Sequence, residues 1–307
     1  MRILRSKYAG ACYGVKRALK MVQELPGEAP VRTLGPLIHN PQVVAELKSQ
    51  GIESVESVDA VESGTLVIRS HGVSPEVIEA AHQRGLVVLD ATCPHVTKAQ
   101  QAASDLSQNG YRVFVVGEQG HPEVEGISAY AGTDVLVVQD PADLPPLAPG
   151  EHVGLVVQTT QTPEALARIV QALEERDINL SIRNTICSAT RQRQEAAFEL
   201  AGQVDVMLVV GGRNSGNTTR LTEICAQVCP QTYHLESPDE LQREWFDNAQ
   251  TVGITGGAST PESQIAATEE RLRALIGEHS QGEKSAGDQA AESAGRGAGT
   301  PSGGAGA

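Results

Sequence analysis

The chain has 307 residues, 40% hydrophobic and 20% charged, with only three Phe, one Trp and five Tyr, so its core has to be aliphatic. At roughly 100–200 residues per domain, that length corresponds to two or three ordinary domains. Lys and Arg number 24 against 38 Asp and Glu, a formal net charge of −14, which excludes nucleic-acid binding through a general basic surface and opposes adsorption to an anionic membrane.

Met1–Gly10 lacks an apolar run of signal-peptide length, and nowhere do eighteen apolar residues follow one another, so a cytoplasmic, non-membrane protein is expected. The five cysteines, Cys12, Cys93, Cys187, Cys225 and Cys229, are odd in number and widely spread. That pattern points to free thiols or metal ligands rather than a disulfide framework.

From the N-terminus, short aliphatic runs lead into polar loops and then into helical periods. Thr65–Arg69 runs into Ser70-His71-Gly72, Val113–Val116 into Gly117–His121, and Val153–Val157 into Gln158–Thr162. Val206–Val210 runs into Gly211–Asn217, and Thr251–Ile254 into Thr255–Thr260. Ser74-Pro75, Thr162-Pro163 and Thr260-Pro261 each place Pro at a first helical position behind a candidate hydroxyl cap. Strand, loop and helix repeated in this way predict an α/β fold with largely parallel sheets.

A longer period lies over this one. Cys12 opens CYGVKRALKMV, Cys93 opens CPHVTKAQQAA and Cys187 opens CSATRQRQEAA, with Lys16, Lys98 and Arg191 four or five residues on. Three similar small α/β lobes are expected, at residues 13–93, 94–187 and 188–277, the last joined by 1–12, each giving one thiol to a pseudo-threefold axis. Residues 278–307 contain no Leu, Ile, Val, Met or aromatic residue and read as a disordered tail.

A cysteine at a helix N-terminus is biased toward thiolate, the form that binds metal. Cys225 and Cys229, four apart in one helical stretch, read as core packing. Structural zinc sites close with four ligands, often in C-x-x-C pairs, and none occurs here; three thiolates on an iron–sulfur cluster leave one iron open to a substrate. The residues therefore lean toward a cluster. They also leave open a zinc-holding phosphate-binding protein and a Cys–His acyl-transfer enzyme.

The loops supply anion donors. His39 lies in GPLIHN, His71 in RSHGV and His121 in GHPEV, where α/β folds place ligands. Thr159-Thr160, Asn214-Ser215-Gly216-Asn217 and Ala258-Ser259-Thr260 offer hydroxyls, amides and helix N-terminal N–H groups suited to phosphate. Neither a Walker A sequence nor a complete G-x-G-x-x-G occurs, so ATP and NAD binding lack support. Glu123 is a candidate proton donor; Glu125 is as acidic, and spacing does not choose between them.

Nine segments together resemble the IspH/LytB family of 4-hydroxy-3-methylbut-2-enyl diphosphate reductases. They are GACYGVKRAL (10–19), GPLIHNPQVVAEL (35–47), RSHGVSPEV (69–77), DATCPHVTKAQ (90–100), GHPEVEGI (120–127), VVQTTQTPE (156–164), NTICSATRQRQ (184–194), VVGGRNSGNTTRL (209–221) and VGITGGASTPES (252–263). They stand in the family's order. The resemblance implies three α/β lobes around a central [4Fe-4S] cluster held by Cys12, Cys93 and Cys187, with the fourth iron open to the substrate's allylic hydroxyl. It further implies His39, His71, His121, Ser215, Asn217 and Ser259 as diphosphate or substrate contacts, Thr159 at the hydroxyl end, and Glu123 as proton donor. The implied reaction is a two-electron reductive dehydroxylation, the last step of the non-mevalonate isoprenoid route, giving isopentenyl and dimethylallyl diphosphates. The implied electron donor is a ferredoxin or flavodoxin, and a monomer is expected.

Departures from the family pattern are few. Gly216 stands at the second Ser of N-S-S-N, Asn184 where Asp is usual, and Gly256 where Ala is common. None removes an implied ligand or acid.

Overall fold

The computed structural model describes residues 1–25 and 29–277; the expected tail, 278–307, lies outside the described residues. The chain opens on β1 (Arg2–Arg5) and α1 (Tyr13–Gln23). A first sheet follows: β2 (Val31–Leu34), α2 (Pro41–Ser49), β3 (Glu53–Val55), β4 (Thr65–Ile68), α3 (Pro75–Gln83) and β5 (Val87–Asp90). The second lobe runs α4 (Pro94–Gln108), β6 (Arg112–Val116), α5 (Pro122–Ala131), β7 (Val135–Val138), β8 (Glu151–Val157), α6 (Pro163–Glu174) and β9 (Ile178–Arg183). The third runs α7 (Ser188–Ala201), β10 (Val206–Val210), α8 (Gly216–Ala226), β11 (Thr232–Leu235), β12 (Thr251–Gly256) and α9, helical over 262–277.

Three four-stranded sheets result, ordered β3-β2-β4-β5, β7-β6-β8-β9 and β1-β12-β10-β11, with every pairing parallel. Counted from its cysteine-headed helix, each sheet has the order second, first, third, fourth. In the third sheet the fourth place is taken by β1, which pairs in parallel with β12 from Arg2 against Thr251 to Arg5 against Ile254. The two ends of the described chain therefore complete one lobe.

The strand side chains alternate between two cores, as the period of two requires. Val67 faces α1 and α2, whereas Leu66 and Ile68 join Ala81 of α3 on the other face. Val113 and Val115 pack with Ala99 and Ala103 of α4 and Ile127 of α5; Phe114 and Val116 pack with Leu166 and Ile169 of α6. Met207 and Val209 pack with α7 and α8, and Val206, Leu208 and Val210 with Ile265 and Leu272 of α9. Parallel strands covered on both faces read as unbroken apolar runs, which is why VFVV and VMLVV stand out in the sequence.

The expected hydroxyl caps are realised at one of three places. Thr162 accepts from the Ala165 amide at 3.1 Å. Ser74 forms no cap bond, and the Thr260 hydroxyl donates to the Val210 carbonyl at 2.8 Å, tying the loop before α9 to β10. Pro75 and Pro163 still start their helices, because a fixed φ and a missing N–H suit the first turn regardless of the cap, whereas Pro261 stands just before α9. Among the described residues no helix is long and apolar enough to cross a membrane.

Candidate active site at the junction of three lobes

In a sheet of this order the strand order reverses between the first and third strands, and the crevice beyond their carboxyl ends is where such folds bind ligands. Every implied substrate residue lies there. His39 follows β2 and His71 follows β4; His121 and Glu123 follow β6 and Thr159 follows β8; Ser215 and Asn217 follow β10 and Ser259 follows β12. The cysteines lie instead after the fourth strands. Cys12, Cys93 and Cys187 are the N-cap residues of α1, α4 and α7, entered from β1, β5 and β9.

All eleven residues line one cavity, the concave kind of site in which small molecules bind. At one end the three thiols are unpaired by disulfides. Gly14 makes their approach possible, since a Cβ there would lie 2.5 Å from Cys93 Sγ. Cys12 Sγ accepts from the Val15 amide at 3.5 Å. Burial pushes the Cys93 thiol up, against the lowering effect of the His95 and Val96 amides. The helix-terminus bias expected from the sequence is thus present at Cys93 but weaker than desolvation. Lys16, Lys98 and Arg191, the bases repeated after each cysteine, are exposed and outside the cavity lining.

At the other end three imidazoles meet. The His39 and His71 centroids are 4.1 Å apart, and His121 lies 5.5 and 5.9 Å from them. Burial, followed by the charge of Arg69, lowers His39 to about 4; burial, followed by His39 and Arg69, lowers His121 to about 4; burial holds His71 well below the ordinary range. All three are neutral at pH 7. His121 Nδ1 accepts from the Glu123 amide at 3.1 Å, so Nε2 carries its hydrogen. Both ring nitrogens of His39, Nδ1 of His71, and Oδ1 and Nδ2 of Asn217 are buried without a hydrogen-bonding partner. Buried polar atoms are nearly always satisfied, so this concentration of orphans in one cavity marks a place for a polar ligand.

The third lobe adds hydroxyls. Ser215 caps α8 by accepting from the Thr218 amide at 3.4 Å, and Ser259 donates to the His39 carbonyl at 2.9 Å with its Oγ 3.4 Å from Ser215 Oγ. Across the same lobe junction Asn40 Nδ2 donates to Gln264 Oε1 at 2.9 Å. Gly216 leaves space for Glu118, whose Oε2 would lie 3.2 Å from a Cβ at that position.

Glu123 is 3% exposed. Its Oε1 accepts from the Thr159 amide at 2.6 Å and its Oε2 from the Thr159 hydroxyl at 3.0 Å. Those bonds favour the carboxylate, but burial outweighs them and raises the group to about 7. Glu125 is exposed. Burial thus separates two residues that spacing leaves equivalent.

Cys225 and Cys229 are 0% and 2% exposed in the core of the third lobe, away from the cavity, as core packing requires. Burial lifts the Cys225 thiol to about 12. Two basic residues beside the cavity carried no positional signal in the sequence. Arg69 lies next to His39, and Arg193 is buried beside Cys12 and Cys187. Each sits among polar residues without a repeat partner, so only burial identifies it.

The family model described as LytB protein matches residues 3–273. The 4-hydroxy-3-methylbut-2-enyl diphosphate reductase of Pelobacter propionicus is 48% identical over 262 residues, 85% of this chain and 94% of that one. That of Trichlorobacter lovleyi is 45% identical over 280 residues, 91% of this chain and 100% of that one. Among solved structures, an (E)-4-hydroxy-3-methyl-but-2-enyl diphosphate reductase described as the terminal enzyme of the non-mevalonate pathway superposes with a TM-score of 0.64 at 41% identity, covering 89% of this chain and 99% of that one. The reductase from Plasmodium falciparum superposes with a TM-score of 0.83 at 26% identity, covering 86% of each. By sequence and by fold, the chain belongs to the LytB (IspH) family.

Proposed function

We propose that this protein is a 4-hydroxy-3-methylbut-2-enyl diphosphate reductase that removes the allylic hydroxyl with two electrons and two protons. The C–O bond breaks, oxygen leaves as water, and the products are isopentenyl and dimethylallyl diphosphates, completing the non-mevalonate route. The observation that carries this reading is the cavity itself: three N-cap thiols at one end, unpartnered neutral imidazoles and an amide at the other, and a buried carboxyl between the lobes.

Cys12, Cys93 and Cys187 fit an iron–sulfur centre. Among the described residues no three His, Cys, Asp or Glu side chains converge on a single metal ion. A polynuclear cluster takes one thiolate on each of three irons and so suits separated sulfurs that share one cavity. When bound, a [4Fe-4S] cluster with three cysteine ligands supplies the electrons and a Lewis-acidic open iron for the hydroxyl. A one-electron carrier such as a ferredoxin or flavodoxin reloads it.

His39, His71 and His121 hold the diphosphate as neutral donors, with His121 presenting Nε2–H. Ser215, Asn217 and Ser259 add hydroxyl and amide donors beside the N-terminus of α8. Thr159 anchors the carboxyl of Glu123 near the hydroxyl end. With a value near 7, Glu123 is poised to give up a proton at neutral pH.

The test is anaerobic. The protein is reconstituted with iron and sulfide, and oxidation of reduced methyl viologen is followed on adding 4-hydroxy-3-methylbut-2-enyl diphosphate. Brown protein with turnover, lost in Cys93→Ser, is expected. Brown protein without turnover sinks the substrate assignment. A colourless protein that takes up zinc instead sinks the cluster.

A further inference from the structure

Arg193 is a buried cation at the thiol end whose presence the chemistry above does not explain. It lies on α7, six residues after Cys187, and is 4% exposed. Its Nη2 donates to the Gly10 carbonyl at 2.7 Å and its Nη1 to the Ala189 carbonyl at 3.2 Å, while its Nε is buried without a partner. Among the described residues no carboxylate forms an ion pair with it. The half-buried Arg112 and Arg220, by contrast, each pair with two acids. A buried guanidinium without an anion is strongly unfavourable. The ionisable groups facing Arg193 are Cys12 and Cys187.

We propose that Arg193 is a positioning residue for the iron–sulfur cluster, its guanidinium acting as buried counter-charge to the Cys12 and Cys187 thiolates and raising the cluster's reduction potential. This rests on the reading that these thiols carry a cluster. The hydrogen bonds fix where the charge sits. Gly10 is two residues before Cys12 and Ala189 two residues after Cys187, so the guanidinium ties both ligand-bearing segments together across the end of the chain. An added electron makes a thiolate-bound centre more negative, and a fixed cation in a low-dielectric site favours that state. Arginine suits the place better than lysine, since it stays protonated when buried and can serve two carbonyls at once.

The experiment compares wild type, Arg193→Lys and Arg193→Met, each reconstituted anaerobically. Iron and sulfide per chain are measured first. Each cluster is then titrated with dithionite, which supplies one electron per cluster, and the reduced form is followed by electron paramagnetic resonance. Loss of the charge in Arg193→Met should shift the reduction equilibrium at least tenfold toward the oxidised form, a fall of about 59 mV for one electron, while Arg193→Lys stays closer to wild type. An Arg193→Met potential equal to that of wild type overturns the proposal, because a purely structural tie changes cluster content and stability but not potential.

If Arg193→Met fails to fold or to load, Arg193→Gln decides, as its amide keeps a donor for Gly10. A lowered potential in Arg193→Gln supports the charge; a wild-type potential there, or an empty site in Arg193→Gln or Arg193→Lys, overturns it, since loss of loading is what a structural tie alone produces. A wild-type chain that takes up no cluster is a different result: the cluster reading itself then fails.

Discussion

The second and third lobes have the same strand order and present loops to the cavity at matching positions, yet the residues they place there behave differently. From the second lobe come His121, Glu123 and Thr159, a buried imidazole lowered to about 4 and a buried carboxyl raised to about 7. From the third come Ser215, Asn217 and Ser259, none of which titrates. One backbone arrangement thus serves two purposes. Under the proposed function, burial tunes the ionisable groups of the one lobe for proton transfer, and the hydroxyls and amide of the other would cradle an anion without titrating themselves.

The contrast gives predictions that separate the two lobes. The largest effect is expected from Glu123→Gln, which keeps the shape and removes the acid: kcat should fall by roughly 10²–10⁴-fold, with KM little changed in steady-state assays. A comparable fall in KM-limited rate with kcat intact would assign Glu123 to binding instead.

Next comes pH. Wild-type kcat should decline as pH rises past about 7, where Glu123 loses its proton. Stability follows the same group. Because the folded state holds that proton above its ordinary value, the contribution is complete below about 4.3 and is lost as pH rises through about 7. His39 and His121, lowered to about 4, act in the opposite direction, costing stability as pH falls from about 6.5 through 4. Chemical denaturation of the metal-free protein at several pH values reads both. Glu123→Gln should flatten the alkaline side, and substitution of Ser215, Asn217 or Ser259 should alter neither side.

A smaller change is expected from Asn217→Ala. Loss of a donor to a charged ligand, about 1.5–3 kcal/mol, should raise KM by about ten- to a hundredfold and leave kcat and its pH profile in place. A shifted pH profile would show that the two lobes are not independent. The smallest effect is expected from Gly216→Ser. The new Cβ meets the end of the Glu118 side chain at 3.2 Å, which can swing aside, and His121 Nε2 at 3.6 Å, an ordinary van der Waals contact, so KM should move by no more than about threefold, a hydroxyl's worth of binding offset by the displaced carboxylate. Calorimetry should show a stability change within about 0.5 kcal/mol.

Most of this architecture could be read from one dimension. The aliphatic runs, the prolines at helix starts and the cysteine-headed repeats are local patterns, and the β-sheet and helix periods they encode act over a few residues. The residues that line the cavity were legible because they follow strands, and strand ends in a parallel α/β fold are where loops meet. Arg193 was not legible: it sits two residues past Arg191 inside the cysteine-headed segment, and the exposed Arg191, which pairs with Glu195 at 3.7 Å, is the more prominent base in the pattern. Nor did the repeat show that its three bases would face away from the cavity, since helix rotation depends on which side chains the lobe buries.

The order of strands and helices, the three cysteine-headed units and the residue types at each loop follow from local periodicity and backbone chemistry, which the chain carries wherever it is placed. Other features needed the packed molecule. That residues 1–12 join the third lobe was expected, but the pairing of β1 with β12 and its register, from Arg2 against Thr251 to Arg5 against Ile254, are set across nearly the whole described chain. The choice of Glu123 over Glu125 and the lowered histidines arise from burial by three lobes at once. Hydrogen bonds between distant strands, and the loss of water around a charge, depend on neighbours that no stretch of sequence contains.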